Sequence, residues 1–170
     1  MLGNERIRLR AVEPEDLDLM YVVENDTALW AYGTTTVPYS RYSLRQFIAE
    51  TRNDIFQDGQ LRLVVESVSD GEALGFIDLQ NLDARHRRAE VGVVLLSGWQ
   101  GRGFATEALR MLCQYAARHL ALRQLVAVVA KRNEPARRLF LRCAFTRVAT
   151  LPHWLACPGG YEDAELMVWE

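Results

Sequence analysis

The sequence predicts one α/β domain of the α+β type over residues 1–170, with a mixed, mostly antiparallel sheet flanked by helices. Three observations predict it. The chain has 170 residues and 49% hydrophobic content, enough for one well-buried core and short for two. Apolar runs of strand length are interspersed with amphipathic runs of helix length, with no repeat, linker or low-complexity tract between them. A third observation is local: the strand-like run Val91 to Leu96 feeds a loop holding Gly101 and Gly103, and that loop opens an amphipathic helical pattern.

The elements follow in order. Ile7 to Ala11 alternates apolar residues with arginines and reads as a first strand. Glu13-Pro14-Glu15-Asp16 puts acids and a proline at a helix start, followed by apolar Leu17, Met20 and Tyr21. Residues 26–42, with Gly33, Pro38 and the Thr34-Thr35-Thr36 run, read as irregular. A helix over about 43–53 takes Ser43 as its N-cap. Leu61 to Ser67 and Leu74 to Leu82 read as a hairpin across Asp70-Gly71. Val91 to Leu96 is the central strand, Thr106 to His119 the following helix, and Leu125 to Ala130 a buried strand. Pro135 to Cys143 reads as a helix that tolerates Pro135 in its first turn. Arg147 to Leu155 and Glu165 to Trp169 form a last strand pair around Pro158-Gly159-Gly160.

Composition removes several function classes. A net charge of −2 gives no bulk attraction for nucleic acid. The longest apolar runs fall short of a membrane span, and Met1-Leu2-Gly3-Asn4-Glu5 lacks a signal-peptide pattern. Cys113, Cys143 and Cys157 are odd in number and lack close spacing, so neither a disulfide framework nor a zinc site is indicated and a reducing cytoplasm fits. The basic side is almost all arginine, Lys131 being the only lysine.

The segment Trp99-Gln100-Gly101-Arg102-Gly103-Phe104-Ala105-Thr106 carries the first chemistry. The first N–H groups of a helix lack internal partners and point along the positive end of its dipole, which makes an anion site. Glycines there let a ligand approach the main chain. A P-loop needs Lys and then Ser or Thr after its last glycine, whereas Gly103 is followed by Phe104-Ala105. A dinucleotide turn needs an acidic residue after the second strand, whereas Leu125 to Ala130 ends in Lys131-Arg132.

Three ordered segments resemble the GNAT family of N-acetyltransferases. Gln100-x-x-Gly103-x-Ala105 resembles the family's pyrophosphate loop. Asn133-Glu134-Pro135-Ala136-Arg137-Arg138-Leu139-Phe140, running on to Ala144-Phe145, resembles its Asn-x-x-Ala-x-x-Leu-Tyr-x-x-x-Gly-Phe segment. His86 to Gly92 resembles the entry to its central strand, and the likeness extends from Arg8 to Val168. The nearest subgroup is that of spermidine acetyltransferases, then that of ribosomal-protein N-terminal acetyltransferases. The resemblance implies a splayed central strand and transfer of an acetyl group from acetyl-CoA directly to an amine, in a protein that many relatives assemble as homodimers or larger homo-oligomers.

It also implies roles. Main-chain groups of Val93, Val94 and Leu95 would polarise the acetyl carbonyl and pair with the pantetheine arm, while Gln100, Gly101, Arg102, Gly103, Phe104, Ala105 and Thr106 would cradle the diphosphate. An alkylammonium, with a pKa of about 10.4, must lose a proton before it attacks, and Glu90 is the candidate base. The competing reading makes Glu90 a surface carboxylate paired with Arg87 or Arg88. Phe140 stands where the family commonly carries a tyrosine acid, so water, Cys143, a residue from elsewhere or no dedicated acid serves the leaving thiolate; Phe140 itself is expected to pack against the cofactor's sulfur end. Cys143 is alternatively a core residue, and Asn133 either bonds the pantetheine or caps the following helix.

The acceptor is less legible. Glu24, Asp26 and Asp78 are either partners for ammonium groups or solvated charges, and Trp30, Tyr32 and Tyr39 are either an aromatic wall or packing residues. A small-molecule amine, polyamine-like first, is the expected acceptor. A protein N-terminal amine and a non-catalytic acyl-CoA-binding regulator are the alternatives.

Overall fold

The computed structural model describes residues 2–33 and 35–170. In chain order it contains β1 (Leu2–Gly3), β2 (Ile7–Ala11), α1 (Leu17–Glu24), α2 (Thr27–Trp30), α3 (Arg41–Glu50), α4 (Ile55–Asp58), β3 (Leu61–Ser67), β4 (Ala73–Asp83), β5 (Arg88–Leu95), α5 (Phe104–Arg118), β6 (Gln124–Ala130), α6 (Glu134–Arg142), β7 (Thr146–Cys157) and β8 (Gly160–Trp169). The strands form one sheet in the order β1-β2-β3-β4-β5-β6-β8-β7. Every neighbouring pair is antiparallel except β5 with β6. This is the mixed, mostly antiparallel α/β arrangement expected from the pattern of runs.

Each face of the sheet is covered by helices. Leu63, Ile77, Leu79, Val91 and Leu95 bury one face with Leu109 and Leu112 of α5 and Phe140 of α6. Val64 and Phe76 bury the other with Met20 and Val23 of α1 and Leu44 of α3. Strand alternation explains the division, because neighbours such as Phe76 and Ile77 point to opposite faces.

The long strands and helices match the expected types with shifted edges, and two short helices are additional. The third helix begins at Arg41 because Ser40, not Ser43, is its N-cap: the Ser40 hydroxyl accepts from the Ser43 N–H at 3.0 Å. The 26–42 stretch contains the short helix α2, started by Asp26, whose carboxylate accepts from the Ala28 N–H. Thr34 of the expected threonine run lies outside the described residues. The helix α4 was not anticipated; its four residues are too few to show a period, and Asp54 caps it while Gly59 closes it in the left-handed region.

α6 is tied to the sheet from below. Arg137 bonds Glu165 of β8 through two nitrogens, at 2.9 and 3.1 Å, and Arg147 of β7 reaches the same carboxylate at 3.2 Å. Burial pushes the Glu165 carboxyl up, but the two arginines outweigh it and hold it below the usual carboxylate range.

Candidate active site

The site begins where two strands part. β5 pairs with β4 along its length, from Asp83↔Arg88 to Gly75↔Leu95. Its parallel pairing with β6 ends at Glu90↔Val126, while β6 continues on β8 to Ala130↔Ala164. Residues 91–95 therefore have an open edge on the β6 side. Leu96 sends its N–H to the Leu74 carbonyl, toward β4, at 2.9 Å. Alternation then turns the main-chain groups of Leu95 and Val93 toward the open edge and those of Val94 toward β4. The Leu95 carbonyl on that edge accepts from Gln100 Nε2 at 2.8 Å. Of the three residues expected to offer main-chain groups, Val93 and Leu95 turn theirs to the open edge, and Val94 turns its own to the β4 ladder.

The glycine loop lies beyond this fork. Gly101 (φ 72°) and Gly103 (φ 88°) both occupy the left-handed region, which costs a residue with a Cβ about 1–2 kcal/mol. Gly103 is the N-cap of α5, no side chain caps the helix, and its first bond runs from the Glu107 N–H to the Gly103 carbonyl. The N–H groups of Phe104, Ala105 and Thr106 are thus left for a ligand. Arg6, which sequence reasoning passed over, braces the loop from β2's approach: Nη2 donates to the Arg102 carbonyl at 3.1 Å, Nη1 pairs with Glu107, and the guanidinium lies 4.5 Å from the Phe104 ring centre. The side chain of Arg102 turns away from the cleft. Its guanidinium lies over Trp99 at 4.5 Å and Phe104 at 5.5 Å, outside the cleft lining, so it covers the aromatic pair rather than facing the cleft.

α6 forms the facing wall. Asn133 caps it, accepting from the Ala136 N–H at 3.3 Å, and also lines the cleft. Pro135, Arg138, Leu139 and Arg142 line it too, at the i, i+3, i+4, i+7 spacing of one helix face. Phe140 points the other way. It is buried, edge-to-face with Phe145 at 4.9 Å, and is absent from the lining. The expectation that Phe140 packs at the cofactor's sulfur end is therefore corrected: an apolar ring is taken up by the core, and Leu139 holds the cleft position beside it. The 3.6-residue period running on from Pro135 is the signal that finds Leu139. Cys143 is also core, with its Sγ 3.6 Å from the Thr106 carbonyl and its thiol pushed up by burial. Cys113 is pushed up to about 12 by the same cause.

The cleft, about 1500 Å³ in volume, runs from this loop across the sheet to α1. That exceeds an ordinary single-ligand pocket and leaves room for an extended cofactor with a second molecule. Glu90 stands at the fork as the last β5 residue paired with β6, and it lines the cleft. Its Oε2 accepts from Asn81 Nδ2 at 2.9 Å, Asn81 being held at φ 53° in a bulge of β4. Arg88 pairs instead with Asp83 at 3.0 Å and Arg87 lies over Phe56, so the arginine-paired reading of Glu90 does not hold.

At the α1 end, Arg62 of β3 joins two carboxylates. Nε and Nη2 donate to the two oxygens of Asp78, each at 2.9 Å, and Nη1 donates to Glu24. Burial pushes the Asp78 carboxyl above its usual value, against the pull of Arg62. Glu24 and Asp78 line the cleft; Asp26, committed to capping α2, does not. Trp30, Tyr32 and Tyr39 do form a wall, with Trp30 Nε1 donating to the Glu24 carbonyl at 2.8 Å. Trp154 and Leu155 of β7 join them, residues that nothing local in the sequence singled out.

The left-handed loop, the uncapped helix start and the open strand edge together fit a diphosphate continued by an extended amide-bearing arm. Comparison with known proteins agrees. Residues 6–146 match the family model of the acetyltransferase (GNAT) domain. The chain is 29% identical to a spermidine N(1)-acetyltransferase of Escherichia coli (strain K12), over 93% of this chain and 82% of the relative. It is 30% identical to the putative ribosomal N-acetyltransferase YdaF of Bacillus subtilis (strain 168), over 94% and 88%. Among solved structures, the spermidine N-acetyltransferase from Vibrio cholerae in complex with CoA and spermine superposes with a TM-score of 0.87 at 25% identity, covering 98% of this chain and 96% of that one. Among the described residues no helix is long and apolar enough to cross a membrane.

Proposed function

The chain belongs to the GNAT acetyltransferase family and uses acetyl-CoA, and on that premise we propose that it acetylates a primary amine of a small molecule, a polyamine or diamine first. The observation that carries the proposal is the fork: β5 leaves β6 at Glu90, and the open edge leads to the uncapped start of α5. Acetyl-CoA supplies an acetyl group activated as a thioester. The N–H groups of Phe104, Ala105 and Thr106, reached past Gly101 and Gly103, hold its diphosphate, and Asn133, Ala136 and Leu139 flank the pantetheine arm. The Val93 N–H on the open edge polarises the acetyl carbonyl. Glu90, oriented by Asn81, takes the proton of the incoming ammonium directly or through a water. The departing thiolate, with a pKa of about 8.5, needs no dedicated acid. Neither Phe140 of α6 nor Cys143 just after it takes that role, since both are core.

The acceptor end favours a cation. Glu24 and Asp78 share one arginine, Arg62, and Glu90 bonds the neutral amide of Asn81, so carboxylates outnumber guanidinium groups among these side chains. The named activity of the Escherichia coli relative and the spermine in the Vibrio cholerae structure point the same way. The test is release of free CoA thiol with a panel of spermidine, diamines, aminoglycosides and short peptides. Release with spermidine or a diamine is expected. Release with peptides alone would replace the acceptor by a protein N-terminus. Calorimetric uptake of acetyl-CoA with no release on any amine would leave a cofactor-binding regulator.

A further inference from the structure

We infer that Arg62 is the specificity-determining residue of the acceptor end: its guanidinium stands on Glu24 and Asp78 where an ammonium group of the acceptor would otherwise sit, and so limits how many positive charges the acceptor is read by. The inference rests on the amine-acetyltransferase reading and adds to it the rule by which amines are sorted.

The sheet register sets the distances. Arg62 lies across from Asp78, Asp78 across from Gly92, and Gln80 across from Glu90, so these side chains share the sheet face that carries α1. Glu90 and Asp78 are diagonal neighbours on adjacent strands, about 7–8 Å apart at their attachment points. That is the reach of a second amino group three or four carbons from the first. No side chain rises from Gly92 between them: a Cβ there would stand 3.8 Å from Asp78 Oδ2 and 4.0 Å from Gln80 Nε2, an amide beside this path. An amine held at Glu90 can therefore extend over Gly92 to the Asp78 carboxylate.

That carboxylate is already engaged. Arg62 meets it with two parallel bonds of 2.9 Å and reaches Glu24 with a third. The guanidinium also lies 5.1 Å from the Phe76 ring centre, a further contact that favours this position. Side-chain exposures of 23% for Arg62, 17% for Glu24 and 18% for Asp78 leave the group partly desolvated, so one charge more or less changes what a cation feels there. Two carboxylates around one guanidinium carry a single net negative charge. In the native protein a second ammonium is drawn by that remainder alone, and without Arg62 both carboxylates would be open to it.

The test compares binding of spermidine with that of butylamine, by calorimetry, to protein loaded with CoA rather than acetyl-CoA, so that no turnover is needed. Arg62→Met is expected to raise the ratio of the two association constants at least about tenfold, the low end for a close charge pair. Arg62→Lys, which restores the positive charge without the paired bonds, is expected to lower the ratio at least about threefold from that of Arg62→Met, toward the native value. CoA affinity should not move in either variant. An unchanged or lowered ratio in folded Arg62→Met overturns the inference. If Arg62→Met fails to fold, Glu24→Gln decides: it lies at the last residue of α1, and it is expected to lower the ratio, an unchanged ratio being the overturning result. Thiol release by the native enzyme is a separate reading. Its absence with every amine would remove the acetyltransferase reading, whereas release with an unmoved ratio would remove only the role of Arg62.

Discussion

The cofactor end and the acceptor end of the cleft are built from different materials. At the proposed cofactor end the groups that face the cleft are main-chain: the open edge of β5 and the first N–H groups of α5. Their positions follow from strand register and from two residues in the left-handed region, and side chains such as Gln100 and Arg6 serve as braces. At the acceptor end the facing groups are side chains from α1, β3, β4, β5 and β7, brought together by a three-bond arginine bridge and an aromatic wall. A main-chain site tolerates exchange of the side chains around it and is broken by a changed backbone. A side-chain site behaves in the opposite way. The first suits a cofactor shared across a family, and the second suits an acceptor that differs among its members.

Perturbing each end in turn tests that contrast. The largest effect is expected at the join: Glu90→Gln should lower turnover near neutral pH by about 10²–10⁴-fold while leaving acetyl-CoA affinity unchanged, as read by thiol release and calorimetry. An undiminished rate would remove Glu90 from the chemistry. Next is Gly103→Val, which forces a β-branched residue into φ 88°. At about 1–2 kcal/mol of strain, relieved by withdrawing the loop, acetyl-CoA affinity should fall about tenfold, with the spermidine-to-butylamine ratio unmoved. A shift in that ratio would show that the two ends are not separable. Phe140→Tyr restores the residue common in the family but places its hydroxyl in the core against Phe145. It should lower stability by about 1–3 kcal/mol in denaturant melts and give no gain in rate; a faster enzyme would show that this side chain reaches the thiolate.

The smallest effect concerns the wall that both ends share. Glu165 is held below its usual value by Arg137 and Arg147, against burial. A carboxyl lowered in the folded state adds stability that is complete above its unfolded value, about 4.3, and is lost as pH falls through the lower folded value. Thermal stability should therefore fall on acidification, and Arg137→Ala should flatten that dependence. A variant with the native slope would assign the acid response to other carboxylates.

Legibility followed the same division. The strand before the loop, the two glycines, the helix after it and the Asn133 segment could all be read in order, because each is contiguous and has a local physical signature. Asn133 was open between capping and ligand contact, and the structure makes it a cap that lines the cleft. Phe140 was misplaced because a motif position does not state which helix face is buried. Glu24 and Asp78 were named as candidates, but their partner was not: Arg62 is 38 residues from the first and 16 from the second, and only β3–β4 pairing and the seating of α1 bring them together. Trp154 needed the return of β7 to the sheet edge.

By itself, then, the sequence determined where main-chain donors come free: positions 101 and 103 are glycine, the apolar periods flank them, and those effects act within a few residues. Tertiary structure decided what the acceptor meets. Charges from α1, β3 and β4 cancel or add only once the sheet has set their distances, and electrostatic energy depends on separation and burial rather than on order along the chain.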